Sequence, residues 1–303
     1  MTMAQRVTEL KKNKNAVILA HNYQVPEVQD IADYVGDSLG LSVKASETQA
    51  DIIVFCGVYF MAETAKILCP RSTVILPDVN AGCPMANMID AGELRALKAA
   101  HPEAKVMCYV NSTAEVKAEC DVCCTSANAM MIAGKMFEET EEVIFVPDKY
   151  LAHYVSSRLG MEFITWEGYC PSHLKILPED IRKRREEHPD APVIVHPECT
   201  PAVIAAADEA LSTEGMCRFA AESEADIIIV GTEIGLIHRL QKENPDKEFH
   251  PASKQCVCPN MKRMTLEKVL WSLEELQHEI EVPDKVAAGA RRSIRRMMDM
   301  HGS

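Results

Sequence analysis

Three cysteines, each followed by proline, are the residues in this chain whose types and spacing most readily suit chemistry: Cys83-Pro84, Cys170-Pro171 and Cys258-Pro259. They stand 87 and 88 positions apart. A Cys-Pro pair alone means little, and Cys69-Pro70 has the same form but falls outside this frame. Iron–sulfur clusters are usually held by four cysteines. Three converging thiolates leave one position open, where a metal can act on a substrate as a Lewis acid. Proline after a ligating cysteine removes one N–H and stiffens the turn.

Other reactive side chains recur in the same frame. Three apolar stretches, "VILAHNY", "VMCYVNS" and "VIVHPEC", end in His21, Asn22 and Tyr23, then Tyr109, Asn111 and Ser112, then His196 and Glu198. Glu198 is a candidate acid/base, and His173 lies three residues after Cys170. Ser38, Ser126 and Thr213 recur 88 and 87 positions apart, each preceded by a valine and an aspartate: Val28 and Asp33, Val116 and Asp121, Val203 and Asp208. Ser212 stands beside Thr213. Such hydroxyls cap helices, and a capped helix start also cradles phosphate or carboxylate, so these residues support the others without deciding anything alone.

The remaining cysteines and histidines read more plainly as structure. Cys56, Cys108, Cys199 and Cys217 fall in or beside apolar runs and are expected to be inert. "CDVCC", with Cys120, Cys123 and Cys124, looks like half of a zinc site, but no second half follows at the right spacing. It falls in a helix-like stretch where core packing is expected. Cys256 lies two residues before Cys258, and only the latter carries the proline. His101, His188, His250, His278 and His301 are expected at the surface, and His153 and His238 in packing or surface roles.

The elements that must position these residues repeat every 88 residues or so. Segments 1–83, 84–170 and 171–258 each open with a polar helical stretch, then read strand–helix–strand–helix–strand. The strands are short and apolar on both faces, which argues small parallel sheets covered by helices. The expected architecture is α/β: three αβα units related by pseudo-threefold symmetry around one central site, with helices in 259–303 packing back on the body. Ligands collect beyond the carboxyl ends of parallel strands, so one shared site is expected rather than three.

Bulk composition narrows the function. Of 303 residues, 47% are hydrophobic and the formal charge is -13, so neither a nucleic-acid footprint nor an anionic membrane surface is suggested. Anionic substrates would have to be held by local donors. No apolar run reaches the roughly 18 residues of a membrane helix, and "MTMAQRVTELKKNKN" has no apolar signal core. The expectation is a cytoplasmic protein, whose 12 cysteines are then thiols or metal ligands rather than disulfides.

On "LAHNYQVPEVQDIADYVGDS", "CPMANM", "YVNSTAEVKAECDVCCTSAN", "VIVHPEC", "IIVGTEIGLIHRL" and "CPNMKRMTLEKV", the chain resembles the quinolinate synthase family, iron–sulfur enzymes of de novo NAD biosynthesis. The resemblance runs through nearly the whole length. It implies a transferase that condenses iminoaspartate with dihydroxyacetone phosphate to quinolinate, losing phosphate and two waters. It implies that Cys83, Cys170 and Cys258 hold a [4Fe-4S] cluster with one open iron. It places His21, Tyr23, Ser38, Tyr109, Asn111, Ser126, His173, His196, Glu198, Ser212 and Thr213 at the active site, with Glu198, His196, Tyr23, Tyr109 and His21 in catalysis. An aspartate oxidase or aspartate dehydrogenase would supply the iminoaspartate. Many members end in Cys-x-x-Cys-x-x-Cys; here "CVCPNMK" offers only Cys256 and Cys258, which argues against that redox regulation.

Three other readings compete. A non-enzymatic iron–sulfur protein explains the cysteines but not the polar strand ends. A structural Cys₃His zinc site with His173 leaves Glu198, Tyr109 and Asn111 idle. Another [4Fe-4S] hydro-lyase acting on a small anionic acid shares the open iron and differs only in substrate.

Overall fold

The structure is a computed structural model describing residues 1–302, with side chains described through residue 300; His301 therefore falls outside the described side chains. It contains three four-stranded sheets, and the same run of elements builds each one. The first comprises α1 (Met3–Asn13), β1 (Ala16–His21), α2 (Pro26–Ile31), β2 (Tyr34–Gly36), α3 (Ser38–Glu47), β3 (Ile52–Cys56), α4 (Tyr59–Leu68) and β4 (Thr73–Ile75). The second comprises α5 (Ala91–Ala100), β5 (Lys105–Tyr109), α6 (Ala114–Ala118), β6 (Val122–Cys124), α7 (Ala129–Glu139), β7 (Val143–Val146), α8 (Lys149–Leu159) and β8 (Ile164–Thr165). The third comprises α9 (Pro178–Glu187), β9 (Val193–Val195), α10 (Pro201–Ala206), β10 (Glu209–Ala210), α11 (Thr213–Glu222), β11 (Ile227–Gly231), α12 (Leu236–Glu243) and β12 (Glu248–Pro251). Two further helices follow, α13 (Leu266–Glu275) and α14 (Asp284–Gly302).

The strand orders are β2-β1-β3-β4, β6-β5-β7-β8 and β10-β9-β11-β12, and every pairing within them is parallel. The central strands read "IIVFC", "VIFV" and "IIIVG" and are buried almost throughout, as sheets covered on both faces require. Helix starts follow local chemistry. Thr2 with Gln5, and Asp90 with Glu93, form reciprocal caps, while Pro26, Pro178 and Pro201 occupy first-turn positions.

Each unit has one strand more than the sequence pattern indicates. The short strands β2, β6 and β10 lie between two helices, α2 and α3, α6 and α7, and α10 and α11, where the sequence pattern suggests continuous helix. "CDVCC" therefore supplies strand β6 rather than helix, with Cys123 beside Cys108 in register. Its cysteines and Val122 are packed in the core, as expected.

An aspartate explains why these short strands hold. Asp33, Asp121 and Asp208 each donate the backbone N–H to Ile18, Val106 and Val193 (2.9, 3.0 and 2.9 Å). Each carboxylate then accepts the N–H of that same residue, at 2.7 Å in all three cases. Val28, Val116 and Val203 are wholly buried in the cores of their units. The repeated Val and Asp positions are thus fold residues.

The C-terminal helices close the edges. Val269 and Leu273 of α13 share a core with Val7 and Leu10 of α1. Ala290, Ile294 and Met297 of α14 pack with the core around β5, β6 and β7. Between these helices, Ile280 and His278 exchange backbone hydrogen bonds with Val74 and Leu76, covering the edge beyond β4.

Candidate active site

The three sheets direct their carboxyl ends toward one cavity. The first strands deliver His21 and Tyr23, Tyr109 and Asn111, and His196 and Glu198 to its wall. Cys83, Cys170 and Cys258 also line it, as do Ser38, Ser126, Thr213 and His173. Three of the sequence candidates are not part of the wall: Asn22, Ser112 and Ser212, whose hydroxyl caps α11 by accepting from Gly215 N at 3.1 Å.

The three cysteines are held by equivalent backbone geometry. At the end of each third strand, an N–H donates to the carbonyl two residues before the cysteine: Tyr59 to Ala81 (2.8 Å), Lys149 to Gly168 (3.0 Å) and Ile234 to Cys256 (3.1 Å). A side chain at Gly168 would collide with the Pro147 carbonyl, so this loop needs glycine. After each Cys-Pro the chain forms a short 3₁₀ turn, Met85–Asn87, His173–Lys175 and Met261–Arg263. That turn points two backbone N–H groups at each sulfur, from Met85 and Ala86, Ser172 and His173, and Asn260 and Met261.

Burial opposes these N–H groups. It pushes the Cys83 thiol up to about 12 and raises Cys170 and Cys258 as well. Left to themselves, the three are neutral thiols; a positively charged metal group among them would convert them to thiolates. Three equivalent sulfurs, each with two N–H donors, fit such a group. Cys256 does not share this environment: it is fully buried in a core with Cys199 and Ile229, at the position that Ala81 and Gly168 fill in the other units.

Glu198 is the centre of the polar network and is 4% exposed, too little for water to satisfy it. Its Oε1 accepts from the Tyr109 hydroxyl at 2.5 Å and from Asn111 Nδ2 at 3.3 Å. Its Oε2 lies 2.8 Å from His173 Nδ1. Burial alone would raise this carboxyl, but the His173 imidazole and the Tyr109 hydroxyl more than offset it and hold the group below the usual carboxylate range. Burial pushes the Tyr109 and Tyr23 hydroxyls well up, so both are protonated donors. Tyr23 Oη lies 2.7 Å from Thr232 Oγ1, which lies 2.9 Å from His173 Nε2. One hydrogen-bonded chain therefore joins the two tyrosines through Thr232, His173 and Glu198.

His21 and His196 are a matched pair. Burial lowers each to about 3, leaving neutral imidazoles. Each Nδ1 accepts the N–H of the residue two positions on, Tyr23 at 3.1 Å and Glu198 at 3.3 Å. The ring proton must then sit on Nε2. His196 Nε2 donates it to Ser126 Oγ at 3.2 Å, which leaves the serine proton free for the cavity.

Family-model and sequence comparisons decide the affiliation. The family described as Quinolinate synthetase A protein matches residues 5–299. Curated proteins named Quinolinate synthase share 54% identity over 296 residues (Dehalococcoides mccartyi strain CBDB1) and 53% over 296 (Methanosarcina barkeri strain Fusaro), each covering 98% of this chain and 97% of the relative. The Quinolinate synthase of Thermodesulfovibrio yellowstonii is 50% identical over 297 residues, with the same coverage. The chain belongs to the quinolinate synthetase A family.

For this family member the structure also supplies residues that the sequence did not single out. Thr232 and Glu233 follow β11, the third strand of the third sheet, and the wall includes Glu233. Glu233 is fully buried; it accepts the Cys258 N–H at 3.1 Å and the Gly235 N–H at 2.7 Å and pairs with Lys262 at 2.9 Å. The polar end of "IIIVGTE" carries the only sequence signal for them, matching the polar ends of the first strands. The ligand atoms of Cys170, His173 and Glu198 lie within 4.8 Å of one another, an arrangement that would also suit a single cation. The capping expectation shifts by a residue or two: Asp37 and Ser212 cap α3 and α11, and Asn128 sits at the start of α7. Ser38, Ser126 and Thr213 are thereby left to the cavity.

Proposed function

We propose that this chain is a quinolinate synthase, a transferase that joins iminoaspartate to dihydroxyacetone phosphate and releases quinolinate, phosphate and two waters. The observation that carries the reading is the convergence of three equivalent cysteine turns and the Glu198 network on one cavity. Cys83, Cys170 and Cys258 would hold a [4Fe-4S] cluster. When bound, that cluster would supply Lewis-acid chemistry for polarising a substrate hydroxyl.

The chain's own residues do the rest. The neutral donors His21 Nε2–H, Ser126 Oγ–H and Thr213 Oγ–H bind carboxylate and phosphate oxygens without adding positive charge, in keeping with a chain at -13. Glu198 takes the proton from the carbon beside the imine, and the Tyr109 hydroxyl returns protons to leaving oxygens. Burial of the network keeps water away from an imine that would hydrolyse. The upstream source would be an aspartate oxidase or aspartate dehydrogenase, and the setting the cytoplasm. Among the described residues, no helix is long and apolar enough to cross a membrane.

Anaerobic incubation of the purified protein with both substrates, followed by chromatographic detection of quinolinate, tests the reading. Quinolinate is expected from wild type. Dehydration of another small acid with no quinolinate formed would replace this reading with that of a different hydro-lyase.

A further inference from the structure

We propose that Arg239 and Asn22 are positioning residues that make the Thr213 hydroxyl an obligate hydrogen-bond donor to a substrate oxyanion. The inference deepens the reading above, since it concerns how the same cavity recognises anions.

A guanidinium has no acceptor and can only donate. Arg239 Nη1 lies 3.0 Å from Asn22 Oδ1, so the amide atom facing it must be the carbonyl oxygen. Arg239 cannot turn away, because Nη1 and Nη2 grip the Glu214 carboxylate at 2.8 and 3.2 Å and Nε donates to Glu243 at 2.7 Å. The other end of the amide is then the NH₂ group, which donates to Thr213 Oγ1 at 2.9 Å.

Thr213 therefore accepts from Asn22, and its own proton must go elsewhere. Deeper in helices such a proton returns to the carbonyl four residues back, as in Ser42 to Ser38 and Thr64 to Phe60. Thr213 is the first residue of α11, so no preceding helical turn offers that carbonyl. Asn22 and Thr213 are 0% and 3% exposed, which shields the pair from solvent competition. Thr213 lines the cavity. A donor fixed this way favours an acceptor-only group, a carboxylate or phosphate oxygen, over an ammonium or amide N–H.

The test is calorimetric titration of the anaerobically purified full chain with inorganic phosphate and, separately, with L-malate. The variants are Thr213→Val, Asn22→Asp, the double variant, Arg239→Met and Arg239→Lys. In Asn22→Asp the introduced carboxylate can only accept, so it captures the threonine proton. That variant and Thr213→Val should each lose about tenfold in affinity for at least one probe, and the probe that loses tells phosphate from carboxylate recognition. The double variant should be no weaker than the weaker single one, and Arg239→Lys, which keeps a donor, should bind more tightly than Arg239→Met. Wild-type affinity in Asn22→Asp, additive losses in the double variant, equal losses in both Arg239 variants, or a wild type that binds neither probe would each overturn the inference. Quinolinate formation by wild type is scored separately: its absence beside this binding pattern removes the proposed reaction and leaves the inference standing.

Discussion

Tyr109 and Glu198 come from different sheets and meet at 2.5 Å, the hydroxyl of one donating to the carboxylate of the other. Their contact joins the ends of the first strands of the second and third units, so cavity geometry depends on how those units pack. It also gives the cavity one buried base with a protonated phenol beside it. Glu198→Gln should lower kcat by about 10²- to 10⁴-fold, and Tyr109→Phe by a smaller factor. The double variant should be little worse than Glu198→Gln, since the two act as a unit. Rates measured at matched iron content check this; additive losses would separate the two roles.

The Asp braces predict a stability cost that is similar in all three units. Asp33→Ala, Asp121→Ala and Asp208→Ala each strand the N–H of Ile18, Val106 or Val193. Each loss is expected at about 1–3 kcal/mol, read as a shift in urea midpoint. A neutral result in any unit would show that its short strand is held by something else.

Glu63 makes stability depend on pH. Its carboxylate accepts the Ala114 N–H at 3.1 Å, and burial pushes the group up to about 7 from an ordinary 4.5. A raised carboxyl binds its proton more tightly when folded. Its contribution is therefore fully present below 4.5 and is lost as pH rises through 7. The full span is on the order of 3 kcal/mol. Urea unfolding of wild type at pH 5 and pH 8 should show the fall, and Glu63→Gln should flatten it. An unchanged slope in the variant would assign the pH dependence to another group.

Much of this was legible in the sequence because the repeat carries both fold and site. The Val and Asp positions mark the braces, the apolar runs mark the buried strands, and Cys-Pro marks the turns that aim N–H groups at sulfur. Strands β2, β6 and β10 were not legible: they are two or three residues long, and an aspartate side chain sets their pairing rather than any alternation of their own. "CDVCC" looked helical because its apolar residues are consecutive, a pattern that a short buried strand shares. Thr232, Glu233, Asn22 and Arg239 were missed as partners because their importance lies in whom they meet. Arg239 reaches Asn22 across 217 positions, a relationship no local pattern encodes.

On the reading proposed above, Cys83, Cys170 and Cys258 together hold the iron–sulfur group. Anaerobic purification with iron and sulfide quantitation tests it most directly, on wild type and on Cys83→Ala, Cys170→Ala, Cys258→Ala and Cys256→Ala. About four irons and four sulfides per chain are expected in wild type, with their loss in the first three variants and their retention in Cys256→Ala, which should only lower thermal stability. Zinc in place of iron, or iron lost with Cys256 and kept without Cys258, would contradict it.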